Sequence, residues 1–140
     1  MADSTRRRED PKAKKMENEL SHKIIGAAIE VHRTLGGPGL LESIYEAALC
    51  HELTFQGIKY ERQLPVQVVY KGITIRDPLY VDIFVEGKVI IEVKATEKNH
   101  PVYETQVLTY LRLTGTKLGL LINFGHAQVK DGISRVVNGL

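Results

Sequence analysis

The chain has 140 residues, enough for one domain with a sizeable core and too few for a second catalytic domain. Its formal net charge of +2 at pH 7 is too small to indicate a polyanionic partner by itself. The single cysteine excludes an internal disulfide framework and a cysteine-based zinc site. Cys50 lies in an apolar helical stretch, where a small buried thiol is expected rather than a nucleophile.

The N-terminal segment differs in composition from the rest. Residues 1–16 are rich in Arg and Lys, with interspersed acids and almost no apolar side chains, which predicts a disordered basic arm before a single domain over residues 17–140. Such an arm either contacts phosphates or serves as a solubilising tail. No apolar run approaches the roughly 18 residues of a membrane span, and the N-terminus lacks the apolar core of a signal peptide. We therefore expect a cytoplasmic protein with no membrane partner.

Apolar periodicity predicts alternating helical and extended segments. Helical spacing and its end signals predict helices from about Glu17 to Leu35, from Leu41 to Phe55, and from Pro101 to Gly115 with a cap at Asn99 or His100. Alternation and apolar runs predict strands at 64–70, 73–75, 79–85, 89–95, 118–124 and 132–137. Together they predict a mixed β-sheet with helices packed against it.

Charged side chains interrupt the otherwise apolar hairpin of residues 79–95. Asp82 lies on one face of the first strand, and Glu92 and Lys94 share one face of the second, while the opposite face of each strand is aliphatic. Burying both aliphatic faces in one core requires Asp82 to lie opposite Glu92. That register needs a three-residue connection over 86–88, or a tighter turn with a bulge, because a plain two-residue turn would pair Asp82 with Ile91.

With this register, two carboxylates and an ammonium converge on one patch, which suits a hard divalent cation and an activated water. We expect the carboxyl oxygens of Asp82 and Glu92 to approach within about 5 Å, and at least one of these acids to have a raised pKa without metal. The alternative is a solvent-facing sheet surface on which Asp82, Glu92 and Lys94 are ordinary solvated charges. Apolar neighbours on the same face indicate that it is at least partly covered.

Two helices carry residues that could join the patch. On the second helix Glu42 and Tyr45 share a face and can point together at a sheet edge, although the helix dipole alone also favours an acid in a first turn. On the third helix Gln106 and Tyr110 share a face, but such a pair is equally consistent with a solvated glutamine and a core tyrosine. We expect both helices to flank the same edge of the sheet.

The ordered set of charged and polar residues resembles the PD-(D/E)XK nuclease superfamily, in the arrangement of its RecB-like and Holliday-junction-resolvase-like members. The residues that carry this resemblance are Asp82, Glu92-Val93-Lys94 and Gln106-x-x-x-Tyr110. A narrower resemblance, to the GxxExxY protein family, covers roughly residues 20–137. It is carried by Gly39-Leu-Leu-Glu42-Ser-Ile-Tyr45, Glu92-Val-Lys94-Ala and the tail from Tyr110 to Gly125.

The resemblance implies a fold of the α/β (α+β) class, with a restriction-endonuclease-like core in which a mixed β-sheet is flanked by helices. The metal of such a core is held where strands diverge. The superfamily's proline before its first acid is absent here, because Val81 precedes Asp82. That position is loosely kept across the superfamily, so the fold assignment stands.

The resemblance also implies a metal centre. Asp82 and Glu92, with the Val93 carbonyl as a third oxygen, would hold Mg²⁺ or Mn²⁺. Lys94 would orient or help deprotonate the attacking water and would counter the charge of the phosphorane. Glu42 would bind the metal's water or a second ion.

The remaining helix residues, Gln106 and Tyr110, would position Lys94 or the phosphate. The implied function is a metal-dependent nuclease that hydrolyses phosphodiester bonds in DNA, with nucleic acid as its partner. A nuclease of this size would often need a second copy to grip a duplex, so a homodimer is one interpretation and the oligomeric state stays open. The rival interpretation is a catalytically inactive nucleic-acid- or protein-binding module on the same fold. A hydrolase of nucleotides or of another phosphate ester is a third interpretation.

Overall fold

The structure is a computed structural model and describes residues 11–139. Along these residues the elements are α1 Pro11–Thr34, α2 Glu42–Phe55, β1 Tyr60–Tyr70, β2 Ile73–Val85, β3 Val89–Lys94, α3 Pro101–Thr114, β4 Leu118–Asn123, a short 3-10 helix Val129–Gly132 and β5 Ile133–Val137. The strands form one sheet in the order β1-β2-β3-β4-β5. Strands β3 and β4 are parallel and all other neighbours are antiparallel. This mixed sheet flanked by helices is the predicted α+β architecture.

Helix α1 starts earlier than predicted. It begins at Pro11 rather than near Glu17, so the residues 11–16 that composition assigned to a disordered arm are helical. Proline is favoured in a first helical turn, and Lys, Ala and Met readily propagate a helix that downstream apolar positions have nucleated. The rest of the predicted arm, residues 1–10, lies outside the described residues.

The sheet carries a hydrophobic cluster on each face. Helices α1 and α2 pack on one face, against residues such as Ile91 and Leu120, whereas α3 packs on the other, against Ile90 and Leu121. The central strands β3 and β4 are therefore covered on both sides, which explains the nearly continuous apolar run of β4. No helix within residues 11–139 has both the length and the apolarity to cross a membrane.

The connection between β2 and β3 has the predicted length. Ile83 lies opposite Ile91, and residues 86–88 link the two strands. Two of these linking residues have positive φ values of 56° and 65°, which lets the chain reverse within three residues. Continuing the same register places Asp82 opposite Glu92, so the predicted register is confirmed.

One part of the predicted alternation is wrong. Ile83 and Val85 contribute to the cluster under α1 and α2, but Leu79 and Val81 pack in the cluster under α3. Only the last three residues of β2 pair with β3, and the preceding part of β2 pairs with β1 alone. The β1–β2 ladder skips the Gln63–Asp82 pair, and the Asp82 side chain accepts the Val93 N–H of β3. The alternation therefore breaks at Asp82, and the apolar side chains before it pack on the other face.

Helix α3 has the end signals that the sequence predicted. Nδ1 of His100 accepts the backbone N–H of Val102 at 3.1 Å, and Pro101 is the first helical residue. Gly115 ends the helix in the left-handed conformation, with φ of 70°. The helix therefore begins and ends where these signals predicted.

A buried asparagine ties the end of β4 to the segment that follows β3. Oδ1 of Asn123 accepts the backbone N–H groups of Thr96 at 3.0 Å and Gly125 at 2.9 Å. Its Nδ2 donates to Thr96 Oγ1 at 3.1 Å and to Asn99 Oδ1 at 2.7 Å. A Cβ atom at Gly125 would collide with the Thr96 backbone, so the two segments touch directly. The chain that leaves Lys94 is therefore held in one place.

Candidate active site

The candidate site lies where β2 and β3 separate. Beyond Ile83 the ladder between these strands stops, and Oδ2 of Asp82 accepts the backbone N–H of Val93 at 2.8 Å. The carboxylate thus takes the place of a strand carbonyl as the partner of a buried donor. This hydrogen bond fixes the Asp82 side chain beside Glu92.

Asp82 and Glu92 form a buried carboxyl pair, only 9% and 5% exposed. The two carboxyl groups lie close enough to shift each other's pKa, so they share one patch, while their approach within about 5 Å stays a prediction. Burial, with the Asp82 charge as a second cause, raises the pKa of Glu92 to about 8. Burial also raises the pKa of Asp82, although the Val93 N–H opposes the shift. The alternative of ordinary solvated charges on a wet sheet face is therefore wrong.

Lys94 lies beside the carboxyl pair but does not neutralise it fully. Its Nζ is 3.5 Å from Oε2 of Glu92, longer than a close charge-assisted hydrogen bond. The same ammonium lies 4.8 Å from the centroid of the Tyr103 ring on α3. Oε1 of Glu92 is buried and has no hydrogen-bond partner among residues 11–139. One carboxylate oxygen of the pair is thus oriented but unsatisfied.

Helix α3 turns one face toward the pair. Tyr110 is 8% exposed, and burial raises the pKa of its hydroxyl to about 12, with the Glu92 and Asp82 charges as further causes. Gln106 lies between Tyr103 and Tyr110 on the same helical face, which is the face predicted for it. Its Oε1 is buried without a hydrogen-bond partner in the described part of the chain. The two predicted α3 residues therefore lie on the side of the helix that faces the site.

Glu42 approaches the site from α2, on the other face of the sheet. Partial burial of the carboxyl group raises the pKa of Glu42; the Lys94 charge opposes the shift, and the Asp82 charge adds to it. Glu42 thus interacts electrostatically with both sides of the site while remaining exposed. Helices α2 and α3 pack on opposite faces of the sheet, and residues of both interact electrostatically with the carboxyl pair. The two helices therefore flank the fork, the place where β2 and β3 separate, from its two sides.

The sequence suggested that Tyr45 and Glu42 point together at a sheet edge, but Tyr45 does not. Its ring is fully buried and stacks on Phe124, with centroids 4.7 Å apart. Its hydroxyl donates to the Gly37 carbonyl at 2.7 Å and accepts the Leu40 N–H at 3.2 Å. Tyr45 therefore closes the glycine-rich loop that leads into Glu42.

The sequence analysis assigned no role to three residues of the site, Gln63, Glu46 and Arg62. Nε2 of Gln63 on β1 donates to Oδ1 of Asp82 at 3.1 Å and to Oε2 of Glu46 at 3.0 Å. Glu46 on α2 is 5% exposed and also accepts from Nε of Arg62 at 2.7 Å. Helical spacing places Glu46 on the same face of α2 as Glu42, but the contacts of Glu46 with β1 join residues at least 16 positions apart, so periodicity could not predict them.

Cys50 is a buried thiol, as predicted. It is 4% exposed, and burial raises its pKa to about 11. A thiol with that pKa stays protonated at neutral pH, so Cys50 is not a nucleophile.

The donor set fits a hard divalent cation that keeps much of its water. Within residues 11–139, no three His, Cys, Asp or Glu side chains are grouped to hold a metal, so a closed protein cage is excluded there. Mg²⁺, however, is commonly bound through one or two carboxylates, with water and substrate oxygens completing its shell. Asp82 and Glu92 supply such a pair, and the unsatisfied Oε1 of Glu92 is an available ligand atom.

Comparison with known families gives an independent result. The sequence profile of the PD-(D/E)XK nuclease superfamily matches residues 18–136. Comparisons with curated proteins and with solved structures found no match. The matched range contains the carboxyl pair, Lys94 and the candidate residues of both helices, while the narrower resemblance to the GxxExxY family stays a prediction.

The metal-free protein should become less stable as the pH rises from about 5 to about 8. The unfolded chain releases the Glu92 proton near the ordinary value of 4.5, whereas the folded chain keeps it until about pH 8. Over this interval the folded state binds more protons, so the free energy of unfolding falls with rising pH. Glu92→Gln should flatten this dependence, measured by urea unfolding in EDTA.

Glu104→Gln, which changes an exposed carboxyl on α3, serves as the control and should keep the wild-type slope. An equal loss of stability in wild type and Glu92→Gln over this range would contradict the assignment of a strained carboxyl to Glu92.

Proposed function

The chain belongs to the PD-(D/E)XK nuclease superfamily, and on that premise we propose that it is a Mg²⁺- or Mn²⁺-dependent nuclease that hydrolyses phosphodiester bonds in DNA. The observation that carries the proposal is the buried pair of Asp82 and Glu92 beside Lys94 at a fork in the sheet. Two acids that burial leaves without full compensation are costly to the fold, and a divalent cation offsets that cost.

Asp82 and Glu92 would hold the cation, with the Val93 carbonyl as a third protein oxygen. Asp82 is oriented for this role by the Val93 and Gln63 donors, and Glu92 contributes its unsatisfied Oε1. A bound cation would polarise the scissile phosphate and lower the pKa of a water. No covalent enzyme intermediate is needed.

Lys94 would place a positive charge beside the reacting phosphate. Its ammonium is held between Oε2 of Glu92 and the Tyr103 ring, which leaves donors for an attacking water or a phosphoryl oxygen. An ammonium group fixed there would stabilise the negative charge of the transition state more than the charge of the ground state.

The helix residues would act around this centre. Glu42 would bind water of the cation or a second ion, because it lies within electrostatic reach of Asp82 and Lys94. Gln106 and Tyr110 would position Lys94 or the phosphate from the α3 side. The choice of DNA follows the resemblance to RecB-like and Holliday-junction-resolvase-like nucleases, so both DNA and RNA belong in the test.

Purified protein should cleave DNA with Mg²⁺ or Mn²⁺ and not with EDTA, and Asp82→Asn should abolish cleavage while the protein stays folded. The reason is that the amide cannot supply the anionic oxygen that holds the cation. Cleavage is measured on single-stranded and duplex DNA and RNA, with circular dichroism to monitor folding.

Asp77→Asn, an exposed acid on the same strand, is the matched control and should retain wild-type cleavage. Cleavage of RNA alone would overturn the choice of DNA. Nucleic-acid binding without any cleavage, at saturating metal, would contradict the nuclease proposal and favour a binding module on this fold.

Variants of the candidate residues on α2 and α3 should differ in how far they lower activity and stability. Glu42→Ala and Gln106→Ala should lower metal-dependent cleavage by orders of magnitude while stability changes little, because neither side chain anchors the core. Tyr110→Ala should lower both metal-dependent cleavage and stability, because the Tyr110 ring packs in the cluster under α3. Activity is compared with melting temperature for each variant.

Glu52→Ala, which removes another acid of α2, is the control for Glu42. Full activity in Glu42→Ala and Gln106→Ala would remove these two residues from the mechanism and leave the carboxyl pair and Lys94 to act alone.

A further inference from the structure

Gln63 has a backbone conformation that is unusual within a strand. Its φ is 54°, in the left-handed region that residues with a side chain rarely adopt. It lies on β1 between the pairs Arg62↔Ile83 and Leu64↔Val81, and so stands opposite Asp82 at the one interrupted position of that stretch. Such a conformation persists only where the surroundings hold it, and it is frequent at functional sites.

The surroundings that hold Gln63 are two carboxylates. Its Nε2 donates to Oε2 of Glu46 at 3.0 Å and to Oδ1 of Asp82 at 3.1 Å. A primary amide has two N–H donors, and here each is directed at an acid. Oε2 of Glu46 and Oδ1 of Asp82 are both acceptors here, so the amide is assigned with its nitrogen, rather than its oxygen, facing the two acids.

Glu46 is itself fixed. It is 5% exposed, and its Oε2 accepts from Nε of Arg62 at 2.7 Å in an ion pair. Arg62 adjoins Gln63 on β1, so one strand supplies both the cation and the amide that hold this acid. A chain of contacts thus runs from Arg62 through Glu46 and Gln63 to Asp82, and it joins helix α2 to the fork of the sheet.

Asp82 is then held from both sides. Gln63 donates to Oδ1, and the Val93 N–H donates to Oδ2 at 2.8 Å, so the plane of the carboxylate is fixed. Each carboxylate oxygen can accept more than one partner, so this arrangement leaves capacity for a cation. We infer that Gln63 is a positioning residue for the cation-binding carboxylate of Asp82, and that Glu46 and Arg62 hold it in place.

The inference rests on the cation site of the proposed function but not on cleavage. Donors that orient a metal ligand typically change metal affinity or activity by about 10- to 100-fold when they are removed. A residue with a purely structural role would change stability and leave metal affinity unaltered. Direct Mn²⁺ binding to the full-length protein therefore separates the two roles.

The experiment compares Gln63→Leu with Gln67→Leu, the same change at an exposed glutamine of the same strand. Mn²⁺ binding is measured by calorimetry and by the electron paramagnetic resonance of free Mn²⁺. We expect Gln63→Leu to weaken Mn²⁺ binding by about 10- to 100-fold, and Gln67→Leu to bind as wild type. The Mn²⁺ concentration for half-maximal cleavage should rise by the same factor, and saturating Mn²⁺ should restore most of the rate.

A second variant guards against misfolding. Gln63→Asn keeps an amide and suits a left-handed backbone, but it is one methylene too short to reach both acids. It should also weaken Mn²⁺ binding without lowering the melting temperature. Wild-type Mn²⁺ affinity in both Gln63 variants, or an equal loss in Gln67→Leu, would overturn the inference.

The outcomes also separate the two proposals. If wild type binds Mn²⁺, the Gln63 variants bind it weakly and no nucleic acid is cut, the nuclease proposal fails while Gln63 keeps its positioning role. If wild type binds no Mn²⁺ at millimolar concentration, the cation site is absent and the inference fails with it.

Discussion

The hydrogen bond from the Val93 N–H to Oδ2 of Asp82 is the contact on which the candidate site depends. It forms where β2 leaves β3, so a side chain satisfies a backbone donor that a strand would otherwise satisfy. The same contact places an acid beside Glu92, at the point where the β1–β2 ribbon separates from the central sheet. The Asp82 carboxylate therefore lies in the opening that β2 leaves beside β3.

Burial around this contact makes the site strained in the absence of a cation. Glu92 is nearly buried, is within reach of a second acid, and has one oxygen without a partner among residues 11–139. Lys94 offsets the charge only in part, because its ammonium lies 3.5 Å away and is shared with the Tyr103 ring. Replacing the acids with apolar residues would remove the strain, so the pair does not serve to stabilise the fold, and the cation site that we propose accounts for its presence.

The sequence predicted the parts of this arrangement that local pattern determines. Strand alternation and turn length placed Asp82 opposite Glu92, and the four-residue spacing of Gln106 and Tyr110 placed them on one face of α3. The features that it missed arise from long-range packing. Alternation breaks at Asp82, where the β1–β2 ladder skips one pair, and Val81 therefore packs on the other face.

Neither the left-handed conformation of Gln63 nor its contacts with Glu46 and Asp82 can be deduced from periodicity, because they join three separate elements. The length of α1 was underestimated for a related reason: charged residues that look disordered by composition extend a helix once tertiary packing has nucleated it.

The central claim is that Asp82 and Glu92 share one divalent cation. Anomalous diffraction from a crystal soaked in Mn²⁺ tests it most directly. The account predicts one Mn²⁺ peak between the two carboxylates, with oxygens of both at roughly 2.0 to 2.6 Å. A Mn²⁺ peak elsewhere, with none between Asp82 and Glu92, would contradict it.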